Sequence, residues 1–281
     1  MTIAEEITRL SNAKANIKQA IENKGVEVSD SALLDEYPAL IDSIEVGGGG
    51  GGADPFYEIM WNMATNNNTN YSHLFRDYNG TELDVSNWDT SKVTDMDSMF
   101  YSCYSLISLD VSNFNTSKVA DMSYMFNGCY SLTQLDVSNF DTSNVTSFQA
   151  MFSNCESLTE LDLSNFNNSK VTTMTMMFYY CKSLMSLNLS TWDVSKVNAS
   201  YMISNIFKGC TALVDFMAPK NISIDMNMSD CNNLSHDSLM SIINNLITTT
   251  SSKTFTLGAT NKAKLTDEEL AIATNKGWKI A

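Results

Sequence analysis

Residues 83–108 read LDVSNWDTSKVTDMDSMFYSCYSLIS, and residues 109–134 read LDVSNFNTSKVADMSYMFNGCYSLTQ. The second stretch is a copy of the first. Leu83, Leu109, Leu135, Leu161 and Leu187 open five such copies, each opening 26 residues after the last. A fixed period of this length is the mark of a repeat architecture, in which each unit buries its apolar face against its neighbours. The rest of the chain reads as caps, linker and handle for this array.

Aligned copies turn positions into columns. Val93, Val119, Val145, Val171 and Val197 form one. Met99, Met125, Met151 and Met177 form another, each followed by Phe100, Phe126, Phe152 or Phe178. Trp88, Phe114, Phe140, Phe166 and Trp192 make an aromatic column. Such columns fit coils lying on one another, with parallel strands about 4.8 Å apart. Leu106-x-x-Leu109-x-Val111 carries the strand pattern of leucine-rich repeats. The expected fold is a mainly β solenoid of about five 26-residue coils, with α+β caps and a small N-terminal helical module.

Asn87, Asn113, Asn139 and Asn165 stack, as do Ser91, Ser117, Ser143, Ser169 and Ser195. These are expected to hydrogen-bond along the array, as side-chain ladders do. The turns hold little glycine or proline, so Asn, Asp and Ser are expected to close them through side-chain to backbone bonds.

The copies resemble the BspA-like leucine-rich repeat of bacterial surface proteins, LDVSxFDTSKVTxMxxMFxxCxSL. The resemblance implies a solenoid for adhesion and protein binding, with no catalytic residues. The fifth copy departs from it, with three extra residues between Val197 and Cys210 and Ile206-Phe207 for Met-Phe. A bulge, or the start of the C-terminal cap, is expected there.

The chain has 281 residues, with 17 basic against 32 acidic, for a net charge of −15. That balance argues against nucleic acid and anionic membranes as partners. No apolar run approaches the ~18 residues that span a bilayer. The N-terminus lacks the basic and apolar regions of a signal peptide. The expectation is a chain neither exported by that route nor inserted in a membrane.

Six cysteines are an even number, which admits disulfides. Yet Cys103, Cys129, Cys155, Cys181 and Cys210 share one column. A ladder of buried thiols packing as small hydrophobes is the favoured reading. There is no C-x-x-C pair, and only His73 and His236 could assist a zinc site. No catalytic, cofactor or metal residues are expected. Asp84, Asp110, Asp136 and Asp162 form a carboxylate column whose mutual repulsion a cation could relieve. A solvated face with Lys92, Lys118 and Lys170 nearby is the plainer reading.

Residues 1–46 read as a helical attachment and oligomerisation module. Ile3, Ile7, Leu10, Ile17 and Ile21 keep a heptad seam, and isoleucine at both core positions leans towards trimers. An amphipathic helix folded onto the next segment fits equally. Thr2 to Val26 resembles the N-terminal segment of virion fibre proteins of gut bacteriophages, which implies attachment to a particle. Residues 47–55 are a glycine-rich linker, and 56–82 an N-terminal cap in which Trp61, Met63, Tyr71 and Leu74 cover the first coil. The solenoid spans 83–216.

Residues 217–281 read as the C-terminal cap. Ser235 opens a helix carrying Leu239, Ile242, Ile243 and Leu246. Thr254–Leu257 is a strand, Thr266 and Glu269 form a capping box, and Trp278–Ile280 is a last strand. This stretch resembles the ends of phage-borne BspA-like repeat proteins.

The candidate partner-binding residues are Tyr101, Tyr104, Ile107, Tyr130, Tyr179, Tyr180, Lys182 and Met185. They flank the cysteines and vary while the core columns stay fixed. Two functions compete. One is a phage head or tail fibre, assembled in the host cytoplasm. It would be displayed on the virion as a homotrimer, docked to other virion proteins, with the repeats binding a host-surface protein or glycan. The other is a bacterial BspA-like surface adhesin or protein-binding effector.

Overall fold

Each coil lies on the next at the period of the sequence. The computed structural model describes residues 69–85, 88–197 and 205–281. In it single parallel bridges join Asn70 to Asp95, Asp95 to Asp121, Asp121 to Ser147, and Ser147 to Thr173. The helical module, its seam (Ile3, Ile7, Leu10, Ile17, Ile21), the glycine run, Trp61, Met63 and Asn87 lie outside the described residues. No described helix is long and apolar enough to cross a membrane.

Two rows of bonds fasten each coil through its Met-Phe segment. The N–H groups of Ser98, Phe100 and Ser102 donate to the carbonyls of Ser123, Met125 and Asn127 in the next coil, at 2.7–2.8 Å. The alternate N–H groups, of Met99, Tyr101 and Cys103, turn back to the carbonyl three residues earlier. This alternation requires left-handed backbone at Ser98 and Ser102, at Tyr124 and Gly128, at Ala150 and Asn154, and at Met176 and Tyr180. A non-glycine residue adopts that conformation at a cost of about 1 kcal/mol. The inter-coil bonds offset it. The same segment begins one turn earlier than the first copy: His73, Phe75 and Asp77 donate to Asp97, Met99 and Tyr101.

The core follows from the columns. Phe75, Phe100, Phe126, Phe152, Phe178 and Phe207 stack in sequence, with centroids 5.3–6.1 Å apart and planes within 8°. Each buried ring contributes about 2–3 kcal/mol by leaving water. The valine and methionine columns and Leu109, Leu135, Leu161 and Leu187 are buried around them, as are Tyr71 and Leu74 at the start, while Leu83 is half-buried. Among the described residues of the coils, regular extension is confined to β1 (Ser186–Asn188) and β2 (Asp215–Met217), which pair in parallel; elsewhere these coils meet through single bridges.

The turns close as their residue types predict. Asp110, Asp136 and Asp162 accept the N–H of Ser112, Ser138 and Ser164, all at 2.9 Å. Asp89, Asn115, Asp141, Asn167 and Asp193 do the same for Ser91, Ser117, Ser143, Ser169 and Ser195. The expected ladders of like side chains are corrected. Asn139 Nδ2 donates to the carbonyls of Val111, Ser112 and Phe114 in the previous coil, not to another asparagine. The Ser117 hydroxyl donates to Asn115 within its own turn. The amide prefers backbone because a carbonyl is present at every coil in fixed register.

A column absent from the sequence reading does comparable work. Thr90, Thr116 and Thr142 are buried, and their hydroxyls donate to the carbonyls of Asn115, Asp141 and Asn167. Thr142 Oγ1 also accepts the Asn167 N–H at 2.7 Å. Asn168 takes the next place, bonding Asp193 through both amide atoms.

The stack ends where α1 (His236–Asn245) supplies what another coil would. Ser238 Oγ accepts the Phe216 N–H and donates to the Val214 carbonyl, and Ser241 Oγ accepts the Ala218 N–H. The open edge of β2 is thereby covered. Ser235 caps α1 as expected. The coil turn recurs once more at Met228–Leu234, inside the segment read as cap, with Cys231 Sγ donating to the Phe207 carbonyl. Beyond it, β3 (Met226–Asn227), β4 (Lys253–Thr256) and β5 (Trp278–Ile280) form a parallel sheet.

Two short helices complete the end. The unforeseen α2 (Gly258–Lys262) places buried Asn261, whose Nδ2 donates to Met228, Cys231 and Leu257. In α3 (Asp267–Asn275) the Thr266/Glu269 capping box is present. Lys276 Nζ donates to the Ile243 and Asn244 carbonyls at the end of α1.

Two measurements test this account of the fold. Thr142→Val leaves the Asn167 N–H and carbonyl unpaired and should cost about 2 kcal/mol or more in urea unfolding; Thr142→Asn should cost less, because Asn168 already performs the role. His236 Nε2 lies 2.8 Å from Glu269 Oε1, joining α1 to α3. The bond to Glu269 raises the His236 pKa above its ordinary 6.5, and hydrogen bonds from Thr266 and His236 lower that of Glu269 below 4.5. The histidine contribution is full below 6.5 and is lost as pH rises through the raised value. The glutamate contribution is lost as pH falls through its lowered value. His236→Asn should therefore lower the melting temperature most at about pH 5–6, and little well above the raised histidine pKa.

Candidate binding face

The eight residues that follow each column cysteine form one face. Leu106 and Leu109 turn inward and are buried, which leaves Tyr104 and Ile107 on the outside. Equivalent residues of successive coils lie side by side. The Thr133 N–H donates to the Ile107 carbonyl, Ser157 to Tyr130, Ser183 to Glu156, Met185 to Thr159, and Val214 to Met185.

This face carries the exposed apolar surface. The exposed large apolar side chains among the described residues are Tyr104, Ile107, Tyr130, Met185, Val214 and Met217, each at least 39 % exposed. All six stand one, four or seven residues after a column cysteine. Tyr104 and Tyr130 stack with centroids 5.2 Å apart and planes at 13°. Scattered apolar residues on a surface are ordinary; these six share one face, with the third coil contributing none of them.

The structure separates the expected binding residues into two sets. Tyr104, Ile107, Tyr130, Lys182 and Met185 are exposed on this face. Tyr101, Tyr179 and Tyr180 precede their cysteines and are half-buried. There the Arg76 guanidinium lies 4.8 Å over the Tyr101 ring, and Lys208 Nζ is 5.9 Å from that of Tyr179. Tyr101 also meets Tyr124 edge-on. Lys182 links the sets, 2.8 Å from Glu156 and 5.4 Å from the Tyr180 ring. Val214 and Met217 escaped the sequence reading because they follow the three-residue insertion. Counting from Cys210 rather than from Leu187 brings them into the Ile107 and Asp110 columns.

The carboxylate column borders the same face. Hydrogen bonds from Ser112 and Ser138 hold Asp110 and Asp136 below the usual carboxylate range, so both stay ionised. Their charge is met by the turn N–H groups. Among the described residues no group of three or more His, Cys, Asp or Glu could hold a metal ion.

The six cysteines are all free and buried. Cys103, Cys129, Cys155, Cys181 and Cys210 donate S–H to the Phe75, Phe100, Phe126, Phe152 and Phe178 carbonyls of the previous coil, at 3.0–3.3 Å. Burial pushes the Cys155 thiol up to about 12, and raises those of Cys181 and Cys210. A thiol that does not ionise is a poor nucleophile.

Comparison with known families returns one match. The model of the family described as "Mycoplasma protein of unknown function, DUF285" matches residues 52–109, 69–182 and 103–218. These overlapping matches cover the coils and more than half of the chain. No curated protein and no solved structure matches.

The thiols give a direct check. Labelling by a thiol reagent without reductant should be slow in the native protein and complete in denaturant, at six sites per chain. Fewer reactive sites in denaturant would mean disulfides.

Proposed function

We propose that this chain, which belongs to the DUF285 family, is a non-enzymatic adhesive solenoid displayed on a bacteriophage particle as a head or tail fibre. One observation carries the adhesive part: the exposed large apolar side chains of the described residues gather on one face. That face runs the length of the stack, as an extended contact surface does. The fibre part is supported by the resemblance of Thr2–Val26 to the attachment segments of phage fibres, and by the six glycines, Gly47–Gly52, between that segment and the coils. Glycine runs decouple what they join, so a handle can obey particle symmetry while the solenoid does not.

A second reading is a bacterial surface adhesin or protein-binding effector. It is favoured by the family's description as a Mycoplasma protein. Both readings use the same face and differ in what carries it.

Mass spectrometry of purified virions separates them: the fibre reading expects this chain among the particle proteins, and finding it only in bacterial envelope fractions overturns that reading. The seam of Ile3, Ile7, Leu10, Ile17 and Ile21 supports a trimer. Light scattering should give three chains per particle for the full protein and one for a chain truncated before Ala53. A full chain that stays monomeric at high concentration and on the virion contradicts it.

A further inference from the structure

We infer that the face carrying Tyr104 and Tyr130 takes a cationic, apolar polypeptide segment; this rests on the adhesive reading above. The reason is that acidic residues stand all round the coils while basic ones are nearly absent from this face. The stretches 104–111, 130–137, 156–163, 182–189 and 211–218 make up the face. They hold Asp110, Asp136, Glu156, Glu160, Asp162 and Asp215 against a single basic residue, Lys182. Glu156 engages that lysine at 2.8 Å. Asp110, Asp136, Glu160, Asp162 and Asp215 are exposed.

The basic side chains of the coils stand elsewhere. Lys92, Lys118, Lys170 and Lys196 form a column one residue before the valines. They are occupied along the stack. Lys170 Nζ donates to Asn144 Oδ1 and Lys196 Nζ to the Ser169 carbonyl, while Lys92 and Lys118 help hold Asp89 ionised. The apolar face is therefore bordered by carboxylates that, Glu156 apart, have no lysine on the face to balance them. Such a border steers a cationic partner in and repels an anionic one.

The aromatic geometry narrows the class further. Tyr104 and Tyr130 stack on each other at 5.2 Å and together present one exposed two-ring anchor. Ile107, Met185, Val214 and Met217 add aliphatic and thioether surface, which receives apolar side chains. Apolar anchors with lysine or arginine between them satisfy both features; an anionic polymer or anionic vesicle satisfies neither.

The test uses the full chain and three labelled peptides of equal length, alternating leucine with lysine, with serine or with glutamate. The charge variant combines Asp110→Asn, Asp136→Asn and Asp162→Asn. It keeps the fold because Asn115, Asn167 and Asn188 already accept the same turn bond. The aromatic variant combines Tyr104→Ala and Tyr130→Ala, and Lys92→Gln is the control. The lysine peptide should bind best, more weakly as salt rises. The charge variant should slow its association about tenfold at low salt. The aromatic variant should weaken it, and the control should not. Lysine and serine peptides binding alike, or a charge variant that binds as the wild type, overturns the inference. The same variants are scored for attachment to host cells. Loss of attachment in the aromatic variant alone overturns the cationic partner and leaves the adhesive reading standing; attachment unchanged in both overturns the adhesive reading itself.

Discussion

The structure depends on one constraint: a polar side chain buried between coils must meet a partner in a neighbouring coil, and among the described residues only the buried Trp192 Nε1 lacks one. Thr142 reaches the next coil, Asn139 reaches the previous one, and Cys155 reaches back to the Phe126 carbonyl. Thr142 and Cys155 are buried, and a buried polar atom left unpaired costs about 1–3 kcal/mol. A coil of another length keeps these bonds only where the change falls between the bonded segments, as with the three residues added between Val197 and Cys210, where Cys210 still reaches the Phe178 carbonyl. This explains a period held at 26 residues while surface positions change freely. It also explains the tolerance of left-handed backbone at Ser98, Tyr124 and Ala150, since the N–H groups so aimed complete the same network.

The C-terminal end shows the constraint from outside. A stack presents unpaired N–H groups at its last coil, an invitation to aggregation. Here α1 answers with two serine hydroxyls, Ser238 and Ser241, set at the positions where another coil's carbonyls would stand. The buried Asn261 of α2 then gathers three carbonyls from the last turn and its own helix. The edge of β2 is thus closed by side chains placed singly, while the coil turn itself recurs once more at Met228–Leu234.

Much of this was legible in the sequence because periodicity exposes packing directly. The phenylalanine, valine and cysteine columns, the turns closed by Asp and Asn, the Ser235 cap and the Thr266/Glu269 box are all properties of residue type and spacing. What escaped was a matter of partners. Thr90, Thr116 and Thr142 sit in polar turn sequences and look solvated, yet they are buried. Cys231 lies 21 residues after Cys210, so its membership of the ladder is invisible to a 26-residue count. The asparagines looked like a ladder of amides because alignment shows like beside like, not the carbonyls between. For the candidate face, alignment found Tyr104, Ile107, Tyr130 and Met185. It also gathered Tyr101, Tyr179 and Tyr180, which distance along the chain cannot separate from them.

The central claim is that neighbouring coils hold one another through this network as a single unit. Native-state hydrogen exchange, followed coil by coil in increasing denaturant, tests it most directly. The account predicts that the amides of Phe100, Phe126, Phe152 and their inter-coil equivalents exchange through one common opening, with the same free energy and denaturant dependence. Separate openings, each coil exchanging with its own lower free energy, would contradict it.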